Sequence, residues 1–191
     1  MIISPLRILE LNKTYRMVEN LDKRETENPE GVGFDIRAGK TYRIISEGFL
    51  GITERKSSDT EKTADIDKGD KEVTLMPGEY MLVKTIERFN IPGEKIITEE
   101  GKPPVFISLH VYPRSTLQRC GVYLMATKTD PGYSGELTFA LSNLGGKPFR
   151  LELGARFANI VFIEVTGEIN RAYEGQWKGG RVSTGGLERQ I

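Results

Sequence analysis

Hydrophobic and polar residues alternate along most of the chain from Val32 onward, in short runs that glycine, proline and aspartate separate. Alternation with a period of two predicts β-strands, and the separating residues are typical of turns. No long helical segment comes between successive runs, so the pattern argues against a parallel α/β sheet and favours an all-β barrel or jelly roll. The predicted strands lie in GFDIRAGKTYRII, VTLMPGEYMLVKT, PPVFISLHVYP, CGVYLMAT, GELTFALSNLG and PFRLELGARFANIVFIEV.

Residues 1–30, 54–72 and 173–191 depart from this pattern. The first segment is expected to be an N-terminal arm, because RMVENLDKRETENPE is too charged to build a core, although it can form a short helix. Residues 54–72 are nearly all polar and predict an insertion, either a solvated hairpin or a mobile loop. The glycine-rich tail is expected either to fray or to close as a lid over a bound anion. The β domain is expected to span residues 31–172.

The segment PRSTLQRCG predicts a short helix that begins where a strand ends. Ser115 and Thr116 are its candidate capping residues, and Arg114 and Arg119 lie on either side of them. Backbone N–H groups at a helix start, hydroxyls and a guanidinium together can bind phosphate. Because capped helices with flanking arginines are common, a purely structural role stays open for this segment.

Two carboxylates and one arginine are further candidates. Asp35 alternates with apolar neighbours on a strand, so its side chain faces either solvent or a cation site. Asp130 precedes a Pro-Gly turn, so it is either a turn residue or a functional carboxylate at a strand end, where Tyr133 could contact a sugar or base. Arg156 begins a strongly apolar strand and is either an ion-pair residue or a functional one.

The composition restricts the chemistry. A chain of 191 residues suits one domain, and its 27 basic and 27 acidic residues leave no net charge to attract nucleic acid. Neither a signal peptide nor a membrane span is recognised, and the single cysteine, Cys120, excludes an internal disulfide, so a cytoplasmic protein is expected. His110 is the only histidine, so a conventional zinc site does not fit. An enzyme of this composition would use carboxylates, arginines and a bound cation.

In order along the chain, GVGFDIRAG, PRSTLQR, TDPGYSGE, GARFANIVF and YEGQWKGGRVSTGG resemble the motif series of the dUTP pyrophosphatase and dCTP deaminase superfamily. The resemblance implies a distorted jelly-roll barrel and a homotrimer with shared active sites. It also implies a deoxyuridine or deoxycytidine triphosphate as ligand, with Mg²⁺, and neither nucleic acid nor membrane as partner. The nucleotide-binding residues that it implies are Arg114, Ser115, Thr116, Arg119, Ala126, Thr127, Tyr133, Arg156, Asn159, Tyr173, Lys178, Arg181, Ser183 and Thr184, with Asp35 holding the metal through water.

Two features of the resemblance point in different directions. The tail and the spacing between PRSTLQR and TDPGYSGE resemble the deaminases, but the glutamate with which metal-free deaminases activate water aligns with Ala140. Glu136 faces the same side of the strand, yet it is about 13 Å away along an extended chain. In the pyrophosphatases the equivalent of Ala140 is apolar, and the aspartate that aligns with Asp130 activates the water.

The resemblance therefore implies a Mg²⁺-dependent dUTP diphosphatase that forms dUMP and pyrophosphate, with Asp130 as its catalytic residue. Two alternatives stay open: a deoxynucleotide-binding regulator without deaminase activity, and an active dCTP deaminase. Asn159 stands where the superfamily carries glutamine, and Val182 stands near the position of a phenylalanine that stacks on uracil.

Overall fold

The computed structural model describes residues 1–190 and confirms the prediction of an all-β architecture. Its helices are α1 (Pro5–Tyr15), α2 (Lys23–Glu27) and α3 (Ser115–Arg119), with a 3₁₀ turn at Ile66–Lys68. Its strands are β1 (Ile2–Ile3), β2 (Val18–Glu19), β3 (Phe34–Ile44), β4 (Phe49–Leu50), β5 (Glu54–Lys56), β6 (Thr60–Asp65), β7 (Glu72–Leu75), β8 (Tyr80–Asn90), β9 (Phe106–Pro113), β10 (Val122–Met125), β11 (Ser134–Asn143), β12 (Phe149–Glu152), β13 (Arg156–Val165) and β14 (Glu188–Arg189).

The strands pair antiparallel throughout and are grouped in three sheets. The main sheet runs β1-β13-β3-β8-β11-β10, and β9, β6 and β2 pair with β13, β3 and β8. A two-stranded sheet joins β12 to β7, and a three-stranded sheet runs β14-β5-β4. The alternation read from the sequence is visible in β3 and β8, where buried and less buried residues take turns, so each strand gives one face to the core.

Residues 1–30 do not form a separate arm, and the expectation that they build no core is wrong. Pro5 starts α1 behind the N-cap Ser4, and Ile8 and Leu11 are buried on one side of that helix. Burying each of these two side chains contributes roughly 1.5–3 kcal/mol. Met17 and Val18 are also buried, despite the charged residues that surround them in the sequence.

Ion pairs explain why so charged a segment is ordered. Arg37 on β3 donates from its backbone N and its Nε to the fully buried carboxylate of Glu87 on β8, both at 2.8 Å. Arg37 also donates to Asp22 and to the carbonyl of Asn20, so one guanidinium ties the N-terminal segment to two strands. Burial raises the pKa of Glu87, and the N–H groups of Arg37 partly offset that rise.

The polar insertion, residues 54–72, contains paired strands, and β5 forms a short antiparallel hairpin with the exposed β4. Strand β6 pairs with β3 over five registered positions, and β7 pairs with β12. Asp65 is 3 % exposed, and its carboxylate accepts from Lys62 at 2.6 Å and from the backbone N of Asp67 at 3.1 Å. Polar side chains that satisfy one another therefore replace apolar burial as the source of order here.

The predicted helix after Pro113 is present, but the expected capping is wrong. Arg114 occupies the N-cap position of α3 without a side-chain cap, and Ser115 and Thr116 lie in the first turn. Within residues 1–190, none of the helices has the length and apolar character that crossing a membrane would require.

Candidate functional site

An apolar pocket of about 560 Å³ lies between β11, β8, the insertion and the tail. Such a volume is typical of small-ligand sites, which combine aromatic walls with a few polar groups. Aromatic and aliphatic side chains form most of the wall, and hydroxyls, a carboxylate and basic groups lie among them. The lining residues used below are Ser57, Tyr80, Leu82, Thr127, Asp130, Tyr133, Thr138, Tyr173, Trp177 and Arg181.

Backbone pairing fixes the strand end that carries Asp130. Leu109 on β9 and Thr129 exchange two backbone hydrogen bonds of 3.0 Å, and the N–H of Gly132 donates to the carbonyl of Ile91. The Asp130 side chain is 40 % exposed and forms an ion pair with Lys128 on the rim of the apolar pocket. Its carboxylate is therefore held at the strand end, as the sequence predicts, and water reaches it.

Tyr133 closes one side of the apolar pocket. Burial, and next to it the nearby Tyr173, raise the pKa of Tyr133 above its usual range, so the phenol stays protonated. Its hydroxyl donates to the carbonyl of Glu136 at 2.7 Å, and its ring lies 5.8 Å from that of Tyr173. Because the ring is held from both ends, it offers a fixed flat surface to a sugar or base.

The tail folds back over the apolar pocket and supplies part of its wall. Its Tyr173 N donates to the carbonyl of Pro131 at 2.7 Å, and Tyr173 and Trp177 both line the pocket. Further along, β14 pairs with β5 of the insertion, and the Thr184 N donates to Ser57 Oγ at 2.8 Å. The tail therefore packs against the pocket wall and the insertion, and its closure over a bound anion stays a prediction.

Close packing of glycines seats the tail on β11. Gly179 N donates to the carbonyl of Ser134 at 2.6 Å, and Gly135 has a φ of +130°. A Cβ at Gly135 would collide with the backbone of Gly179 and Gly180, and a Cβ at Gly180 would lie 2.5 Å from Glu136 Oε2. Only glycine lets the two backbones approach this closely.

A second hollow, of about 360 Å³, is lined by two of the predicted phosphate-binding residues, Arg114 and Ser115. Asp35 lies between Arg114 and Arg156, with its Oδ2 in contact with Arg114 and 3.3 Å from Arg156 Nη1. Asn159 donates to Asp35 Oδ1 at 3.0 Å. This phosphate hollow is lined by Arg24, Glu25, Glu30, Gly31, Asp35, Arg114, Ser115 and Asn159.

Charges in and beside the phosphate hollow are balanced within the chain. Glu25, which is 1 % exposed, accepts from Asp35 N at 3.1 Å and from Arg24 at 2.6 Å, and Arg156 Nη1 lies 3.7 Å from it. Burial, and next to it the positive charge of Arg156, lower the pKa of Arg114. The arginines are thus crowded, and three carboxylates hold them together; these are Glu25, Glu30 and Asp35.

Glycine also explains how Asn159 reaches Asp35. These two residues are register partners on β13 and β3. A Cβ at Gly33 would overlap Asn159 Oδ1 and would lie 2.5 Å from the carbonyl O of Ile160. The glycine before Phe34 in GVGFD is therefore required by the close approach of β13.

The face of β11 that deaminases use carries no free carboxylate. Ala140 is 5 % exposed and pairs with Leu82 on β8 and Met125 on β10, at the position where the motif alignment expects the deaminase glutamate. Glu136 on the same face is engaged by Lys84 at 3.4 Å and by Arg88 at 3.5 Å. A methyl group at position 140 can neither accept nor donate a proton.

The single chain brings the predicted site residues into two groups and leaves others aside. The apolar pocket is lined by Thr127, Asp130, Tyr133, Tyr173 and Arg181. The other predicted site residues line the phosphate hollow or lie elsewhere. Arg119 faces a different hollow with Gly145 and Gly146. Lys178 pairs with Glu174, and Thr184 contacts the insertion. Within residues 1–190, neither hollow is lined by Thr116, Arg119, Ala126, Arg156, Lys178, Ser183 or Thr184, although Arg156 contacts Asp35.

The sequence alone did not indicate Arg24, Glu25 or Trp177 as parts of these hollows. Arg24 and Glu25 lie in the charged N-terminal segment, where nothing distinguishes them from neighbouring charges. The one indication in the sequence is that this segment lies shortly before GVGFD. A short helix at that place, here α2, has to pack against the central strand that follows. Trp177 is the only tryptophan, and its rarity in a glycine-rich tail is a usable indication.

No group of three or more His, Cys, Asp or Glu side chains that could hold a metal ion occurs within residues 1–190. A protein cage for Mg²⁺ is therefore absent from this part of the chain. Mg²⁺ more often keeps several waters and binds one or two carboxylates together with substrate phosphates. The carboxylates of the phosphate hollow suit that mode, since they are oxygen ligands beside the expected phosphates.

Comparison with known proteins gives a consistent result. A family model described as dCTP deaminase-like matches residues 2–165. A protein of Pyrococcus furiosus named dCTP deaminase is 31% identical over 153 residues, which are 80% of each chain. A protein of Dictyoglomus turgidum named "dCTP deaminase, dUMP-forming" is 28% identical over 144 residues, 73% of this chain and 68% of the relative.

One solved structure supports the fold. The 2'-deoxycytidine 5'-triphosphate deaminase of Agrobacterium tumefaciens superposes with a TM-score of 0.58 at 17% identity. The match covers 84% of this chain and 47% of that one, so this chain spans about half the length of the solved protein. The jelly-roll expectation is thereby confirmed at the level of the fold.

Proposed function

Because the chain belongs to the dCTP deaminase-like family, we propose that it is a nucleoside triphosphate pyrophosphohydrolase that cleaves dUTP to dUMP and pyrophosphate. The observation that carries this proposal is the contrast between two positions. Asp130 is a water-accessible carboxylate on the rim of the apolar pocket, whereas Ala140 puts a buried methyl group where deamination needs an acid. Chemistry at phosphorus is supported, and chemistry at the base is not.

The two hollows divide the nucleotide between them. The apolar pocket suits a pyrimidine and its deoxyribose, since Tyr133 and Tyr173 offer flat surfaces. The phosphate hollow offers Arg114 and the first-turn hydroxyl of Ser115. The two hollows share no lining residue. In the homotrimer that the resemblance implies, we propose that the pocket of one chain and the phosphate hollow of its neighbour complete one active site.

In the proposed reaction, Asp130 accepts a proton from a water molecule whose oxygen forms a bond to the α-phosphorus. The bond between that phosphorus and the oxygen leading to the β-phosphorus breaks, and pyrophosphate leaves with the electron pair. Arg114 and Ser115 hold the phosphates and oppose the charge that develops on their oxygens. When bound, Mg²⁺ would be held by Asp35 through water and would supply positive charge that offsets the charge of the phosphates.

The tail has a part in this scheme. With Tyr173 and Trp177 in the wall of the pocket, the closed tail reduces access of bulk water to the nucleotide. Arg181 lines the same pocket, where its guanidinium pairs with Glu188 at 2.7 Å. Base recognition is assigned to backbone groups around Ala126 and Thr127.

A second candidate function is a regulator that binds deoxynucleotides without converting them. Asn159 supports it, because its amide is used by Asp35 instead of a phosphate. The relatives are named for deamination of dCTP. The absence of an acidic side chain at position 140 argues against that activity in this chain.

One assay panel separates these functions. The purified protein is incubated with dUTP, dCTP, dTTP and UTP in Mg²⁺, and pyrophosphate and ammonia are both measured. We expect pyrophosphate from dUTP and no ammonia from dCTP. In Asp130→Asn, pyrophosphate release should fall by about 10²- to 10⁴-fold while a non-hydrolysable dUTP analogue still binds. An Asp130→Asn protein with full activity, or ammonia from wild-type protein and dCTP, would contradict the proposal.

A further inference from the structure

A third hollow, of about 460 Å³, adjoins the apolar pocket on the other side of Asp130. Asp130, Tyr173 and Trp177 line both, so the two spaces meet at the proposed catalytic carboxylate. Two further arginines line only the third hollow. They are Arg55, from β5 of the insertion, and Arg171, from the segment before the tail.

Arg55 differs from the arginines of the phosphate hollow. Arg24, Arg114 and Arg156 each have a carboxylate partner within 4 Å. The Nε of Arg55 is buried and has no hydrogen-bond partner within residues 1–190. Gln176 Oε1, from the tail side of the same hollow, is likewise buried without a partner there. Buried polar groups are normally satisfied, so the Nε of Arg55 leaves one donor available to an acceptor, whereas the oxygen of Gln176 needs a donor and is no argument for an anion.

The backbone that carries Arg55 is held in place by its neighbours in the fold. Strand β5 lies between β4 and β14, so the insertion and the tail together fix its backbone. Ser57, two residues further, exchanges hydrogen bonds with Thr184 of the tail. A guanidinium held this way, with Arg171 lining the same hollow, offers positive charge to an anion that enters beside Asp130.

We propose that Arg55 is a further phosphate-binding residue, which the insertion supplies to the polyphosphate of the nucleotide on the Asp130 side of the site. The inference rests on the proposed function, because an Asp130-bound water reaches the α-phosphorus only if the phosphates pass this carboxylate. Arg55 then contacts the polyphosphate from the chain that holds the nucleoside, and Arg114 contacts it from the neighbouring chain.

The test compares nucleotides with one and three phosphates. Arg55→Met keeps the apolar stem and removes the buried donor, Arg55→Lys keeps the charge, and Arg43→Met is the control. Arg43 is an exposed arginine of β3 that pairs with Glu61 and lines none of the three hollows. Binding of dUMP and of α,β-imido-dUTP to the full chain in Mg²⁺ is measured by calorimetry, together with Tm.

In Arg55→Met, affinity for α,β-imido-dUTP should fall roughly 10- to 100-fold, the range for a lost charge-assisted contact, while dUMP affinity changes less than about threefold. Arg55→Lys should lie between, and Arg43→Met should match the wild type. The Tm of Arg55→Met should not fall, because an unpaired buried donor has been removed.

Two results overturn the inference alone: unchanged α,β-imido-dUTP affinity in Arg55→Met, or an equal loss for both ligands, which indicates a structural role. A wild-type protein that binds neither ligand overturns the proposed function, and the inference with it. A wild-type protein that binds the analogue but does not hydrolyse dUTP overturns only the hydrolase, and the Arg55 comparison then still decides the binding role.

Discussion

Asn159 and Asp35 lie opposite each other on β13 and β3, and the Asn159 amide donates to the Asp35 carboxylate across 3.0 Å. The same carboxylate contacts Arg114 and Arg156, so a single side chain joins three partners from two further segments. Asn159 stands where the superfamily pattern has glutamine, and its shorter amide positions Asp35.

The first prediction concerns this junction. Asp35→Asn removes the charge that separates Arg114 from Arg156, so the two guanidinium groups repel one another. We expect the unfolding free energy to fall by about 1–2 kcal/mol. This is less than for a fully buried ion pair, because both arginine side chains are about one-third exposed. Urea unfolding measures it, with Asp67→Asn, at an ion pair whose aspartate is 70 % exposed, as the control. Equal stability losses in the two variants would contradict the central role of Asp35.

Part of this molecule follows from sequence pattern and part does not. Strands β3, β8 and most of β11 alternate between buried and less buried residues, and turn residues separate the predicted strands, so the fold class and the strand end at Asp130 are predictable. The N-terminal segment and the insertion are not. Their order depends on ion pairs such as Arg37 with Asp22 and Lys40 with Asp65, which join segments distant in the sequence and leave no periodic signal.

The candidate site shows the same division. Motif resemblance identified Asp35, Arg114 and Asp130 because their local sequences are distinctive. It did not identify Glu25 or Arg55, because one lies in a run of charges and the other in a polar insertion. Their positions depend on tertiary packing, which brings Glu25 to the backbone of Asp35 and places Arg55 in the hollow beside Asp130.

The second prediction concerns the buried methyl group at position 140. In Ala140→Glu we expect slow ammonia release from dCTP, since the new carboxylate would occupy the position that aligns with the deaminase glutamate. Burying it should lower the unfolding free energy by about 3 kcal/mol. The matched control is Ala140→Gln, which has the same size but cannot shuttle protons. A folded Ala140→Glu protein that binds dCTP without releasing ammonia would show that one side chain does not separate the two activities.

The third prediction concerns the seat of the tail. In Gly135→Ala the new Cβ collides with the backbone of Gly179 and Gly180, so the tail should lift from β11. We expect faster tryptic cleavage after Lys178 and Arg181, and a fall in kcat/KM for dUTP of about 10- to 100-fold. Gly179→Ala is the control, because its φ is +87° but its Cβ meets nothing within 4 Å. If the two variants behave alike, backbone strain and not the collision explains the effect.

The last prediction concerns pH and the insertion. Burial acts to raise the pKa of Asp65. This effect is outweighed by hydrogen bonds from Lys62 and from the backbone N of Asp67, together with the charge of Lys40, and the pKa of Asp65 stays below the ordinary 3.8. A carboxyl group whose folded pKa is lowered stabilises the protein above its unfolded pKa, and that contribution disappears as the pH falls through the folded value. Wild type should therefore be more stable than Asp65→Asn at pH 7, and the difference should close below a pH of about 4. Urea unfolding of both proteins at several pH values measures this difference.

The control is Asp59→Asn, at a more exposed ion pair in the same insertion. It should change the unfolding free energy by less than about 0.5 kcal/mol at every pH. A gap between wild type and Asp65→Asn that stays constant down to pH 3 would mean that the ionised carboxylate does not hold β6 against β3.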